Sequence, residues 1–307
     1  MSLNKNTKEL LETLIAENEY LSYSVKRCIT NCLNDDTKAS NVDFVTRIKK
    51  KLTEQSVKLP TNIEGKVICY SPENFITERY YTQQNWINSV LQSIIKMKTV
   101  AEMMASMRIH YRNATILYGE SGTGKTEFAR YVAYRLNLPL FYLNFSSVID
   151  SLLGNTGKNI ANIFNYVKKH ECVFMLDEVD CIAGSRNGAD RAEKEFSRVT
   201  ITLMQEFDML PNNIILIAAT NRIDIIDDAV LNRFSVKQKI ERLSLDDNRA
   251  FAQFYVKAIQ AESYITDSDI AECIDNDDLS QRQVVTKIIQ LLGDRLYQSL
   301  EGDSTCH

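Results

Sequence analysis

Histidine is scarce in this chain, and cysteine is scattered. The 307 residues hold three histidines, at 110, 170 and 307, and seven cysteines, at 28, 32, 69, 172, 181, 273 and 306, with no Cys-x-x-Cys pair. That distribution offers neither the ligand spacing of a structural zinc site nor a disulfide framework. His-Glu-x-x-His is absent, which excludes a zinc-protease centre of that type. An apolar run of about eighteen residues, which a membrane-spanning helix needs, is also missing, as is a signal-peptide pattern. The sequence therefore predicts a soluble, cytoplasmic protein with reduced thiols and no membrane partner. Ile, Met and Val are rich between Trp86 and about Met107, but Lys96 and Lys98 interrupt them, so this helix is expected to pack and not to anchor. Neither sign of charge dominates, with 36 basic and 40 acidic side chains and a net charge of −4. Residues 1 to 60 carry ten basic and eight acidic groups, too balanced for an electrostatic nucleic-acid arm. The cluster Arg47-Ile-Lys49-Lys50-Lys51 reads as a solvated helix face. Residues 241–307 hold thirteen acidic against six basic groups, which argues against a DNA-tracking surface there.

The informative presence is an octet, Gly119-Glu120-Ser121-Gly122-Thr123-Gly124-Lys125-Thr126. An apolar run, Ala114 to Tyr118, precedes it, and a helical pattern from Glu127 to Leu136 follows, the strand-loop-helix context of a phosphate-binding loop. Glycines let the backbone bend around an anion while N–H groups and the helix dipole face the phosphates. Gly119 through Glu127 are thus the expected nucleotide-binding residues, with Lys125 reaching the β and γ oxygens and Thr126 ligating Mg²⁺. Further on, Cys172-Val-Phe-Met-Leu-Asp177-Glu178 reads as a buried parallel strand whose C-terminal end opens on the ligand crevice. Alone, Asp-Glu after a strand would pass for a helix cap. After a phosphate loop at this spacing, Asp177 is expected to hold Mg²⁺ through its water shell and Glu178 to polarise the attacking water.

With these motifs in order, residues 65 to 295 resemble the AAA ATPases, in particular the protein-remodelling branch of the katanin, spastin and membrane-protease kind. Ile214 to Asn221 looks like the family's sensor 1, which implies that Asn221 orients the lytic water with Glu178. Asp180 to Asp208, including Arg186-Asn-Gly-Ala-Asp190, is similar to the long helix that opens the second region of homology. Asp228-Ala-Val-Leu-Asn232-Arg233-Phe234 resembles the arginine-finger segment. The resemblance implies that Arg233 reaches the neighbouring subunit's nucleotide; Asn232 stands where a first arginine is common, so a single finger is expected. Ser151-Leu152-Leu-Gly154 falls at the pore-loop position, with Leu152 in the aromatic slot, leaving threading of an extended chain and local remodelling both open. Asp278 to Val285 resembles a sensor 2 segment, with Arg282 either touching the γ-phosphate or forming a surface pair. Tyr80, Tyr81 and Trp86 lie where the family builds its adenine pocket, and equally suit a core.

The expected fold is α/β, a P-loop NTPase parallel sheet in an αβα sandwich, with an N-terminal helical segment (1–58), the nucleotide-binding domain (59–240) and a small C-terminal helical lid (241–307). Leu10, Leu14, Leu21, Val25, Ile29 and Leu33 keep a helical period, and the polar stretch 34–41 suggests two helices joined by a turn. Leu59 to Gly65 reads as a linker. The expected function is an ATP- and Mg²⁺-dependent ATPase, a homo-oligomer of about six subunits that remodels protein substrates, with residues 1–58 recruiting a substrate or adaptor or merely supporting the ring. The competing class is a nucleic-acid-associated AAA+ ATPase, a loader or mobile-element helper using ATP as a switch. A degenerate scaffold is disfavoured by Lys125, Asp177 and Glu178 together.

Overall fold

A computed structural model describes residues 3–17, 23–36, 38–54, 59–150, 156–182, 191–276 and 278–304. The N-terminal residues form α1 (Lys5–Glu17), α2 (Tyr23–Asn34) and α3 (Val42–Glu54), three helices where periodicity suggested two. The polar stretch does mark a break, between α2 and α3, but α1 and α2 are separate elements. Leu11, Ile15, Ile29, Leu33, Ile48 and Leu52 converge into an apolar cluster of their own. In the basic run of α3, Arg47 pairs with Glu12 and lies over the Phe44 ring.

The catalytically suggestive motifs all sit on one six-stranded sheet: β1 (Val67–Tyr70), β2 (Asn113–Tyr118), β3 (Leu140–Asn144), β4 (Cys172–Asp177), β5 (Ile214–Thr220) and β6 (Val236–Lys239). Their spatial order is β1-β3-β4-β5-β2-β6. The parallel arrangement expected from the sequence holds from β3 to β6, whereas β1 is an edge strand antiparallel to β3, pairing Val67 with Leu143. A four-residue edge strand with one buried position carries too little pattern to be read in advance.

β4 and β5 are apolar up to their last residues, Asp177 and Thr220, because both of their faces are covered. In β4, Cys172, Phe174 and Leu176 join one core while Val173 and Met175 join the other; Ile214, Leu216 and Ala218 of β5 alternate in the same way with Ile215, Ile217 and Ala219. The helices that follow the sheet through the chain are α4 (Asn85–Ser106), α5 (Lys125–Leu136), α6 (Phe145–Asp150), α7 (Thr156–Val167), α8 (Arg191–Asp208) and the short α9 (Asp228–Leu231). Those from α4 and α5 cover one face, with Leu91, Phe128 and Val132 buried; those from α6 to α8 cover the other, with Val148, Phe164 and Phe207 buried. Ile63, inside the stretch read as a linker, is 1% exposed and belongs to this second core. A backbone turn anchored on the Pro60 carbonyl holds it there, so the stretch is packed against the sheet.

The remaining elements, α10 (Leu245–Ala258), α11 (Asp267–Cys273) and α12 (Gln281–Ser304), build a helical cluster around Phe251, Val256, Ile270, Ile274, Val284 and Ile288. Thr266 and Asp269 form a capping box that starts α11. Tyr81 inserts into this cluster against Phe251 and Phe254, while its neighbour Tyr80 stacks on Tyr131 of α5. Adjacent side chains thus bridge the sheet's core and the C-terminal helices. No helix among the described residues is long and apolar enough to cross a membrane.

Candidate functional site

Parallel strands aim their C-terminal ends the same way, and a ligand crevice opens where the chain's strand order reverses. Here β2 lies between β5 and β6, so the segments leaving β2, β4 and β5 meet at one edge of the sheet. The octet leaves β2 in glycine-dependent conformations. Gly119, Gly122 and Gly124 have φ of 146°, 80° and 93°. A Cβ on Gly119 would lie 2.1 Å from the carbonyl oxygen of Ile240, a backbone atom that cannot swing aside. Gly119→Ala is expected to destabilise the fold by about 1–3 kcal/mol. Urea unfolding of the variant measures this, and unchanged stability would remove the close-approach argument.

The loop closes on itself around Lys125, which is 7% exposed. Its Nζ donates to the carbonyls of Gly119 (2.7 Å) and Glu120 (2.6 Å). Burial lowers its pKa, opposed by the nearby carboxylates of Asp177 and Asp180. Thr123 donates to the Glu120 carbonyl at 2.9 Å, and Glu120 pairs with Arg242. Glu127, at the start of α5, pairs with Arg130 at 2.8 Å. Ser121 lines the cavity beside the loop.

Opposite stands the end of β4. Thr126 donates its hydroxyl to Asp177 Oδ2 at 2.9 Å, and Tyr142 donates to the same oxygen at 3.1 Å. Burial, and then the Asp177 charge, push the Tyr142 phenol far above its usual range, which keeps it a neutral donor. Glu178 follows with φ 57° and donates its backbone N–H to Asp177 Oδ1 at 3.0 Å. A left-handed glutamate costs about 1–2 kcal/mol, and such conformations cluster at functional sites. At the end of β5, Thr220 donates to Asp180 at 2.7 Å and accepts from the Arg222 N–H, leaving Asn221 on the cavity wall.

The C-terminal helices close the cavity from above. The Arg282 N–H donates to the Gly122 carbonyl at 3.2 Å, and a Cβ on Gly122 would meet Ser280 Oγ at 2.8 Å. Arg282 has no ion-pair partner among the described residues and lines the cavity with Gln281 and Val285. The space enclosed is about 750 Å³, in the range of ligand sites. Lys125, Thr126, Asp177, Glu178, Asn221 and Arg282 all face it. Tyr80, Tyr81 and Trp86 form part of its rim, Trp86 resting on Phe128 with centroids 4.9 Å apart. The hydroxyl and carboxylate oxygens of Thr126 and Asp177 are hard donors of the sort that suit Mg²⁺, and the glycine curve beside them suits a phosphate chain.

Arg233 is not in this cavity. It follows α9 and pairs bidentately with Asp208 at the end of α8, with Nε at 3.1 Å and Nη2 at 2.7 Å, while Nη1 donates to the Ala229 carbonyl at 2.6 Å. Arg112 pairs with the same carboxylate, and the two cations, Arg233 foremost, hold the Asp208 pKa below its usual value. Ser151 to Gly154 and Arg186 to Asp190 lie outside the described residues. Sequence reasoning missed Tyr142, Asp180 and the Asp208 partner of Arg233. Single polar residues with ordinary neighbours give no local signal, and their roles come from strands that meet only in the fold.

Comparison with known proteins follows the same residues. The family model described as "ATPase family associated with various cellular activities (AAA)" matches residues 115–242. Among curated proteins, the chain is similar to 26S proteasome regulatory subunit 10B homolog A of Arabidopsis thaliana, 33% identical over 46% of this chain and 36% of that one. It is 28% identical to 26S proteasome regulatory subunit 10B of Dictyostelium discoideum, over 70% of this chain and 57% of that one. Proteasome-activating nucleotidase 1 of Haloferax volcanii is 29% identical over 57% of this chain and 45% of its own length. The matches thus span between about a third and somewhat more than half of the relatives' own lengths. Residues 115–242, whose strands, glycine loop and carboxylate pair make the cavity, are the part of this chain that is similar to the AAA ATPase family.

Proposed function

We propose that the protein binds ATP with Mg²⁺, hydrolyses it, and uses the cycle to remodel protein substrates as a cytoplasmic ring of about six copies of itself. The observation that carries this reading is the Thr126–Asp177 contact at 2.9 Å, which joins the phosphate loop to the end of β4 beside Lys125 and Glu178. When bound there, Mg²⁺ would neutralise developing charge on the phosphate oxygens. Thr126 and Asp177 are the residues to hold it, Asp177 through water.

Lys125 exchanges its two carbonyl partners for β and γ oxygens, so the loop needs no new cation to receive the anion. Gly119 to Glu127 supply the N–H cradle and the helix dipole. Glu178, held on a strained backbone next to Asp177, takes a proton from the attacking water, and Asn221 orients that water. Arg233 works on the neighbouring subunit's nucleotide, consistent with its place outside its own cavity. The contact of Arg282 with the Gly122 carbonyl lets the C-terminal helices follow the state of the phosphates. Leu152 would present an apolar contact to a substrate chain, and residues 1–58 would recruit the substrate or an adaptor.

Relatives named as regulatory subunits of the 26S proteasome favour a protein substrate over nucleic acid. Steady-state turnover with added unfolded casein or added single-stranded DNA separates the two readings. Stimulation by casein alone is expected. Stimulation by DNA alone would replace remodelling with a nucleic-acid switch.

A further inference from the structure

Hydrogen bonds from within the chain converge on the Asp177 carboxylate. Thr126 and Tyr142 both donate to Oδ2, at 2.9 and 3.1 Å, and the Glu178 N–H donates to Oδ1 at 3.0 Å. A carboxylate offers about four lone-pair sites. Both sites on Oδ2 are thus filled among the described residues, and one remains open on Oδ1. Thr126 and Glu178 belong to the motifs that build the site. Tyr142 does not, and the hydrolysis proposed above makes no use of it.

Its contact is not the one that the sheet offers first. In the β3–β4 ladder Asp177 stands opposite Asn144, while Tyr142 stands opposite Met175. Asn144 turns instead to the first turn of α6, where its Oδ1 accepts from the Ser146 N–H at 2.9 Å and hydroxyl at 2.6 Å. Tyr142 reaches Asp177 along the diagonal, a distance that suits a long aromatic side chain. Its ring is braced for this. It lies edge-on to Tyr70 with centroids 6.3 Å apart, and the Arg130 guanidinium covers the Tyr70 ring at 5.0 Å. Tyr142 and Asp177, both half-buried, line the cavity together.

We propose that Tyr142 is a specificity-determining residue for the metal: by filling Oδ2 it restricts Asp177 to a single outward contact through Oδ1, and so favours Mg²⁺ over larger divalent cations such as Ca²⁺. This inference rests on the reading of Thr126 and Asp177 as the metal's holders and deepens it. A hydroxyl both donates and accepts, so Thr126 keeps its proton on Oδ2 while its oxygen faces a cation. Ca²⁺ accepts both oxygens of one carboxylate, whereas Mg²⁺ demands octahedral geometry and keeps several of its waters. A carboxylate with one open site serves a metal-bound water and has no second oxygen to give. Without the phenol, Oδ1 and Oδ2 each have a site free, which is the arrangement that Ca²⁺ uses.

Calorimetry of ADP binding in EDTA, in Mg²⁺ and in Ca²⁺, on the wild-type chain and on Tyr142→Phe, tests it. Phenylalanine keeps the ring against Tyr70 and removes only the hydroxyl. Wild type is expected to bind ADP more tightly with Mg²⁺ than with Ca²⁺. In Tyr142→Phe that preference should fall about tenfold, while binding in EDTA stays unchanged. A preference that is absent from wild type, or that the variant keeps, overturns the inference. An equal loss of binding in all three conditions does so too, because Tyr142 would then support the shape of the site and not its choice of metal. If wild type binds ADP equally with and without either cation, Thr126 and Asp177 hold no metal, and the reading beneath the inference fails with it. If wild type binds no ADP, the nucleotide site itself is wrong.

Discussion

Arg233→Ala is expected to lower steady-state ATP turnover by about 10³- to 10⁵-fold while ATP binding survives. Arg233 lies outside the cavity that holds Lys125 and Glu178, so in this reading it acts on the phosphates of another copy and not on its own. Its bidentate pair with Asp208 fixes the guanidinium at the end of α8, with Nη1 tied to the Ala229 carbonyl. Such a planar, doubly held cation is preorganised, and its pair with a largely solvent-facing Asp208 is weak enough to exchange for phosphate. The decisive experiment mixes two inactive variants. Arg233→Ala subunits retain Glu178, and Glu178→Gln subunits retain Arg233. In a ring, an Arg233→Ala subunit beside a Glu178→Gln neighbour regains a complete site, so mixing is expected to restore measurable turnover. If the finger acts within its own chain, every site in the mixture lacks one component and no activity returns.

Most of the sheet, and most of the residues that line the candidate site, were legible in the sequence, for a physical reason. Strands covered on both faces are mostly apolar, and each of β2, β4 and β5 ends in a polar or glycine-rich segment that breaks its run. Composition therefore marks both the strand and the point where the ligand edge begins. The antiparallel β1 escaped because one buried residue in four gives no period. The tight fit of Gly122 beneath Ser280 and Arg282 escaped because it joins positions some 160 residues apart. Tyr80, Tyr81 and Trp86 illustrate the limit best. Aromatic character showed that they pack, but only the fold shows Tyr81 entering the C-terminal cluster, Tyr80 stacking on α5 and Trp86 donating to Gln84. The left-handed backbone of Glu178 is likewise invisible in a sequence, since glutamate is not a residue that favours it.

That strained backbone bears on the second large effect. Glu178→Gln is expected to reduce turnover by about 10²- to 10⁴-fold while keeping nucleotide in place. Glutamine matches glutamate in shape and leaves the backbone N–H to Asp177 intact, so Lys125, Thr126 and Asp177 keep their arrangement. Only the ability to accept a proton from water is lost. Because ATP persists, the variant should accumulate in the state that the nucleotide favours. Ligand bound at about 100 times its Kd adds about 2.7 kcal/mol to whatever form binds it, enough to shift a marginal assembly. Mass measured by light scattering, with and without ATP and Mg²⁺, is expected to move from small species to a ring of about six copies. Loss of turnover with ATP retained and a shift in mass would tie the carboxylate, the metal pair and the neighbour's Arg233 into one shared site. A variant that binds ATP and stays monomeric at high concentration would leave Arg233 with no phosphate to reach, and the ring reading would fail even though Glu178 kept its role. Undiminished turnover would remove Glu178 as the base and leave the strained backbone beside Asp177 without a chemical purpose.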